Sequence, residues 1–305
     1  MKRDFAVAGA LVTLLALVAI AAPTFFSAAN LRDILLANLA VLIVAMGMTF
    51  VIVLGQIDIS IGAQFGMCSV LGGMLAKAGC PAWLLVILLL GAGAALGSMN
   101  GFLVARLRLP SIVVTLAAMA VLRDSLRWAT GGKWVQDLPE SFQWFGLSQR
   151  GGEWMLSLVT AAILAGCAYG ARYLMAGRMI FATGSDAESA RLAGIPTVRV
   201  VFWVFAFMGA LTALAALLNA VRFPEVPGNA GAGLELKAIA AVVVGGTSIT
   251  GGRGSLGGSV LGVALLAVIG PMLTFLGVNA YWEQAIQGAI ILVAATTTMA
   301  AWKRT

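Results

Sequence analysis

The residues whose types could do chemistry are concentrated in two glycine-rich interruptions of an otherwise apolar chain. The first, Gly55–Gly62, reads Gly-Gln-Ile-Asp-Ile-Ser-Ile-Gly, and the second covers Gly245–Gly254. Non-helical backbone at membrane depth is tolerated only where it is buried in protein or lines water. The first interruption is therefore either a turn outside the membrane, with Asp58 capping the next helix, or a break that lines a pathway. The second reading assigns pathway or gate roles to Gly55, Gln56, Asp58, Ser60, Gly62, Gly246, Thr247 and Ser248.

The sequence lacks the groups that most enzymes use. It has no histidine, and it contains no Walker A loop, no H-E-x-x-H and no G-x-S-x-G. Cys68, Cys80 and Cys167 are scattered without a C-x-x-C pair. We therefore expect no enzymatic activity, no metal site and no cofactor bound by this chain. Ionisable residues are also too sparse in the apolar segments for a proton-relay pump, so uphill transport would need energy from a partner.

The composition predicts an all-α, polytopic membrane protein. Of 305 residues, 61% are hydrophobic and 10% are charged, and the apolar segments are continuous rather than alternating. We predict one transmembrane domain over residues 1–305. The ten expected spans are about 5–22, 34–54, 61–78, 82–105, 111–130, 154–174, 200–221, 235–250, 256–276 and 281–301.

Basic residues are unevenly distributed between the loops on the two sides of these spans. By the positive-inside rule, the more basic loops face the cytoplasm, and both termini are predicted there. This bias accounts for the net charge of +7, so the expected partner is a lipid bilayer and not a nucleic acid. The cytoplasmic set is Lys2, Arg3, Arg106, Arg108, Arg172 to Arg199, Arg253, Lys303 and Arg304; the outer set is Arg32, Lys77, Lys133, Arg150 and Arg222.

A cytoplasmic segment at about 175–199 contains a short helix with end signals. Ser185 and Glu188 form an S-x-x-E capping box, and Gly194 followed by Pro196 stops the helix. The helix, Asp186 to about Ala193, is too short to be stable alone in water. It is either part of an ordinary tight loop or a docking element for a soluble partner. The docking reading assigns coupling roles to Ser185, Asp186, Glu188, Ala190, Arg191 and Gly194.

Three further patterns bear on the architecture. The outer loop at about 131–153 is rich in Trp and Phe, which indicates an interfacial aromatic belt or a contact with a partner. Val242, Val244 and Gly246 follow Val51, Val53 and Gly55 by 191 residues, which suggests a worn internal repeat with paired broken helices. Small residues at close spacing predict tightly packed helices, namely Gly91, Gly93, Gly97 and Gly101 in one span and Gly257, Gly258 and Gly262 in another.

Three motifs in order resemble the permeases of bacterial sugar ABC importers, the ribose, xylose, arabinose, rhamnose and autoinducer-2 group. Gly55–Gly62 is similar to their G-x-I-D-[LI]-S-x-G signature, and Gly177–Ile195, GRMIFATGSDAESARLAGI, is similar to their cytoplasmic loop. Leu234–Gly252, LELKAIAAVVVGGTSITGG, resembles a third segment. Thr130–Trp134, with Leu138-Pro139, looks most like the autoinducer-2 and rhamnose permeases.

The resemblance implies a permease in the bacterial inner membrane that passes a monosaccharide or similar polar solute to the cytoplasm. It also implies three protein partners: a second permease subunit, identical or related; a cytoplasmic ATPase docked on the Ser185–Gly194 helix; and a periplasmic sugar-binding protein at the outer loops. Two rival hypotheses are a self-sufficient secondary transporter, for which only Asp58 offers an ion-coupling group, and a non-transporting scaffold subunit.

Overall fold

The computed structural model describes residues 2–279 together with residues 282, 285, 286, 288 and 289. The described part is helical and contains the helices α1 (Lys2–Ala21), α2 (Ala28–Val53), α3 (Ile61–Lys77), α4 (Ala82–Ala105), α5 (Ser111–Thr130), α6 (Gln149–Tyr173), α7 (Met175–Ser185), α8 (Ala187–Leu192), α9 (Thr197–Ala220), α10 (Leu234–Val244) and α11 (Leu256–Phe275). The all-α prediction is confirmed. The predicted tenth span, 281–301, lies outside the described residues.

Among the described residues, five helices are long and apolar enough to cross a membrane, namely α2, α4, α6, α9 and α11. In two other predicted spans the helices are shorter than a bilayer core of about 30 Å. At 1.5 Å per residue, α3 rises about 26 Å and α10 only about 16 Å. The prediction of a span over 235–250 was wrong at its end, because the helix stops at Val244 and a turn follows.

The core is built on the packing of α9 against α4 and α2. Small residues permit the contact between α4 and α9: the backbone of Gly93 faces that of Gly209, and Gly97 faces the carbonyl of Phe205. A Cβ atom at either position would overlap backbone atoms of the other helix. A second glycine contact joins α10 to α11, where Gly258 meets Gly245 and Gly262 meets the Ala241 carbonyl. The predicted role of small residues is confirmed at these positions, while Gly91 faces open space.

The two ends of the bundle differ in charge. At one end, which we call the basic end, five arginines lie in or next to the segments that connect the long helices: Arg106, Arg108, Arg191, Arg199 and Arg253. At the opposite end, basic side chains have local acceptors. Arg32 Nη1 lies 3.7 Å from Glu153 Oε2, and Arg222 donates to the Leu36 carbonyl at 2.7 Å.

At that opposite end, the loop between α5 and α6 (131–148) packs on the loop between α9 and α10 (221–233). Val135 and Val226 exchange backbone hydrogen bonds at 3.0 and 2.9 Å, and Trp144 N–H donates to the Val221 carbonyl. The first loop is shorter than predicted, because α6 begins at Gln149, where the Ser148 side chain accepts from Gly151 N–H. The loops thus cover α3, whose Lys77 donates to the Gln136 carbonyl.

Candidate functional site

The first interruption is a non-helical segment between α2 and α3 that is exposed at Gly55 and buried at Asp58 and Ser60. Ile57 N–H donates to the Ser111 hydroxyl at 3.2 Å, and its carbonyl accepts from the Thr115 hydroxyl at 3.3 Å. Ser111 and Thr115 belong to the first turns of α5, so the segment lies along the side of that helix. Asp58 and Ser60 have no exposed surface. These contacts favour the break within the bundle over the turn outside it.

Asp58 and Ser60 are the centre of a buried polar network. Asp58 Oδ1 accepts from Ser60 N–H at 2.9 Å and from its hydroxyl at 2.5 Å. Ser60 Oγ in turn accepts from Gln64 Nε2 at 2.7 Å and from Asn100 Nδ2 at 2.8 Å. The remaining oxygens of Asp58, Gln64 and Asn100 are buried and have no hydrogen-bond partner among the described residues. The network therefore fixes α3 to α4 while it leaves acceptor capacity unused.

The second interruption begins with the same helix stop as the first. Gln56 N–H donates to the Val51 carbonyl and Gly55 N–H to that of Ile52; 191 residues later, Thr247 N–H donates to Val242 and Gly246 N–H to Val243. Both pairs form the Schellman motif, with a left-handed glycine at Gly55 (φ 71°) and Gly246 (φ 93°). The predicted local equivalence of the two stops is thus present in the backbone.

The residues after the second stop form a tight turn. Thr247 is buried, and within the part of the chain that the structure describes its hydroxyl has no hydrogen-bond partner. Ser248 N–H donates to the Arg253 carbonyl at 2.9 Å, and the Ser248 and Thr250 hydroxyls lie 2.8 Å apart. This turn folds back on the end of α2.

The two interruptions and the end of α7 meet in one backbone junction. Gly252 N–H donates to the Val53 carbonyl at 2.8 Å, and Gly55 lies beside the backbone of Thr250 and Gly251. A Cβ atom at Gly184, in the last turn of α7, would overlap the Val53 carbonyl. The end of α7 therefore contacts the end of α2 and the turn that follows α10 through backbone atoms.

The starts of α3 and α10 meet deep in the bundle. Gly62 lies beside Gly231 and the Glu235 carboxylate. Arg123 Nη2 lies 3.4 Å from Glu235 Oε1, while Glu235 Oε2 is buried and no described residue bonds to it. Arg123 is twelve residues after Ser111, about 18 Å along α5. Both short helices therefore begin inside the bundle, as discontinuous helices do where they form solute sites.

The capped helix at the basic end is α8, and its cap differs from the prediction. Asp186, not Ser185, is the N-cap: its Oδ1 accepts from the N–H groups of Glu188 and Ser189 at 2.9 and 3.0 Å. Ser185 is instead the last residue of α7, a helix that the sequence analysis did not identify. The capping box was wrong because the Glu188 carboxylate pairs with Arg191, at 2.6 and 3.0 Å, rather than with the cap.

The other end of α8 is as predicted. Gly194 has φ 86°, its N–H donates to the Arg191 carbonyl, and Ile195 N–H donates to that of Ala190. Ala190 is buried and holds the helix against the protein, whereas Leu192 is 74% exposed. Hydrogen bonds from the Ser189 N–H and hydroxyl, with the Glu188 N–H, hold the pKa of Asp186 below its ordinary value, so the cap is ionised at neutral pH.

Several residues of this site were not identified from the sequence. Gln64 and Asn100 are isolated polar residues in apolar segments, and their shared partner Ser60 could not be known without the fold. Gly184 lies within the Gly177–Ile195 motif, but the sequence analysis assigned it no role. Arg123 and Glu235 are separated by more than one hundred residues, and a charge of each sign within predicted spans was the one available indication.

Residues 30–295 match the family described as "Branched-chain amino acid transport system / permease component". Curated relatives named "Autoinducer 2 import system permease protein LsrC" are similar over most of the chain. The protein from Yersinia enterocolitica serotype O:8 is 35% identical over 291 residues, 93% of this chain and 79% of the relative. Those from Escherichia coli O9:H4 and Salmonella paratyphi B are each 37% identical over 82% of this chain, and cover 73% and 72% of the relatives. No solved structure matches.

Proposed function

This chain belongs to the family of branched-chain amino acid transport system permease components, as an inner-membrane permease subunit of an ATP-driven ABC importer, and we propose that its solute is autoinducer-2 or a closely related sugar-like molecule. The observation that carries the choice of solute is the 35% identity to an autoinducer-2 permease over 93% of the chain. Permeases of such importers work with an ATPase and a solute-binding protein. The chain is not itself an enzyme.

The proposed contact with the ATPase is α8. Ala187, Glu188 and Leu192 are exposed on it, while Ala190 faces the protein. Asp186 and Gly194 define its two ends, and Arg191 fixes the Glu188 carboxylate. In this assignment Ser185 acts through α7, because it packs on Gly252 of the second interruption. ATP-driven motion of α8 would then reach the ends of α2 and α10.

The proposed solute pathway follows the two interruptions. Its first wall is formed by residues of the first interruption, namely Gly55, Gln56, Asp58, Ser60 and Gly62. Its second wall is formed by Gly246, Thr247 and Ser248 of the second interruption. The full enclosure of Asp58 and Ser60 corresponds to a closed state in this proposal. Opening would expose the buried acceptor oxygens, which suit a hydroxylated solute.

A second permease subunit, identical or related, is proposed at the face of α5 that points away from the bundle. Asp124 and Arg127 pair at 3.6 Å there, with 75% and 64% of their side chains exposed. Charged side chains in a span are costly when they face lipid, so this face suits a partner subunit or a water-filled pathway. The single transmembrane domain contributes half of the pathway in this arrangement and binds no cofactor of its own.

Uptake by the reconstituted complex tests the assignment. The chain, its ATPase and its binding protein are placed in proteoliposomes with internal ATP, and uptake of labelled autoinducer-2 is compared with that of ribose, rhamnose and leucine. We expect autoinducer-2 to be taken up and the others to compete weakly. Preferential uptake of leucine or of another sugar would overturn the assigned solute and leave the family membership unchanged.

A further inference from the structure

An open groove lies at the basic end, where the last turn of α4 meets the connection between α8 and α9. Its volume is about 420 Å³. Three arginines line it: Arg106 at the end of α4, Arg191 from α8 and Arg199 at the start of α9. Arg191 is paired with Glu188, whereas within the described part of the chain Arg106 and Arg199 form no ion pair with a carboxylate.

The other wall of the groove is apolar and continues along the sides of two long helices. Phe102, Val198 and Phe202 line it. Both α4 and α9 have the length and composition of membrane spans. Beyond the groove, Met99 on α4 and Trp203 and Phe207 on α9 are exposed. One side of the groove therefore presents guanidinium groups and the other an apolar surface of the kind that faces acyl chains.

We propose that this groove binds an anionic phospholipid from the adjacent leaflet, with the phosphate between Arg106 and Arg199 and an acyl chain along Phe102 and Phe202. Guanidinium groups bind phosphate oxygens through paired, charge-assisted hydrogen bonds. Basic pockets between membrane helices are suited to such headgroups. An acidic surface of a soluble protein would pair with the arginines, but it would not cover an apolar wall that continues along the membrane spans.

The site also touches the coupling element, because Arg191 belongs to α8. Its Nε and Nη2 atoms bond to Glu188, and Arg191 is also one of the residues that line the groove. A bound phosphate would hold α8 against α4 and α9, leaving Glu188 and Leu192 exposed for the ATPase. The lipid is thus expected to support the geometry of α8 without occupying its docking face.

Lipid retention by the full-length protein provides the test. Delipidated protein in detergent is titrated with phosphatidylglycerol and with zwitterionic phosphatidylethanolamine, and bound lipid is counted by native mass spectrometry. The test variant combines Arg106→Gln with Arg199→Gln. The matched control combines Arg172→Gln with Arg178→Gln, which removes the same charge among the basic residues near this end without altering the groove. Thermal unfolding confirms that both variants are folded.

We expect the groove variant to bind phosphatidylglycerol about tenfold more weakly, and the control to bind it as the unmodified chain does. Restoring charge with Arg106→Lys and Arg199→Lys should recover part of the affinity, which also separates loss of charge from misfolding. Equal loss in both glutamine variants, or loss in neither, overturns the proposal. Retained lipid with loss of ATPase binding in the groove variant would overturn it in favour of a protein contact.

Discussion

The carboxylate of Asp58 organises the residues of the first interruption. One of its oxygens satisfies both the backbone N–H and the hydroxyl of Ser60, and that hydroxyl then accepts from Gln64 and Asn100. The Ser60 hydroxyl, which Asp58 accepts from, thus connects the interruption to α3 and α4. Buried donors without acceptors are costly. A substitution that removes the acceptor therefore tests the structural effect of Asp58, whereas one that keeps an acceptor but removes the charge tests the effect of the charge.

Replacing Asp58 in two ways makes that separation. Asp58→Ala leaves the Ser60 donors unsatisfied and should destabilise the protein by about 1–3 kcal/mol. Asp58→Asn keeps an acceptor and should retain stability while it lowers uptake. Asp33→Asn, on an exposed carboxylate near the start of α2, is the control and should change neither. Thermal unfolding and uptake are measured together; full transport by Asp58→Asn would exclude a pathway or gate role for the charge.

The N-cap of α8 is tested by neighbouring substitutions. Asp186→Ala removes the acceptor for the Glu188 and Ser189 N–H groups, and amide exchange in α8 should accelerate roughly threefold to tenfold. Asp186→Asn should be mild, because Asn is also a good cap. Ser185→Ala should leave amide exchange in α8 unchanged. Faster exchange in that variant would instead support the capping box of Ser185 and Glu188.

The pH dependence of the same cap follows from its hydrogen bonds. They lower the folded-state pKa of Asp186, so its contribution to stability is present above the ordinary aspartate pKa. The contribution is lost as the pH falls through the lowered value. Protection of the α8 amides should therefore persist at neutral pH and decline only in acid, and a decline near neutrality would contradict this.

At the scale of helices, the sequence supports prediction of most element positions but not of their depth. Apolar length located α2, α4, α9 and α11 to within a few residues at most ends. The same signal placed the end of the α10 helix beyond Val244. Apolar length does not show where a Schellman motif ends a helix, so the predicted helix continued through the glycine stop. That the start of α3 lies beside Glu235 at the start of α10 depends on contacts between distant residues, which local patterns do not contain.

The glycine contact between α4 and α9 gives an element-scale prediction with an internal control. A Cβ atom at Gly97 would meet the Phe205 carbonyl, so Gly97→Val should separate the helices and destabilise the fold by about 3 kcal/mol. Gly91, in the same helix, faces open space, and Gly91→Val should change stability by less than about 0.5 kcal/mol. Similar melting temperatures for the two variants in detergent would show that this close approach is unimportant.

At the scale of the whole molecule, the three segments that carry the family motifs converge. Gly55–Gly62, the end of α7 and the turn after α10 meet through the Val53 carbonyl, Gly184 and Gly252. The motifs and their order were sufficient to predict the family. Their spatial meeting was not predictable, because it depends on backbone contacts at glycines that have no side-chain signature.

This junction is the central claim, since it connects the proposed ATPase-binding helix to the proposed pathway. Gly184→Val should push α7 away from the Val53 carbonyl without altering the exposed face of α8. Gly166→Val, on the exposed side of α6 where nothing lies within contact distance, is the matched control.

The most direct measurement is the ratio of solute taken up to ATP hydrolysed, in proteoliposomes that contain this chain with its ATPase and binding protein. We predict that Gly184→Val keeps ATP hydrolysis but lowers this ratio about tenfold, while Gly166→Val leaves it unchanged. An unchanged ratio in Gly184→Val would contradict the proposed transmission of movement from α8 to the two interruptions.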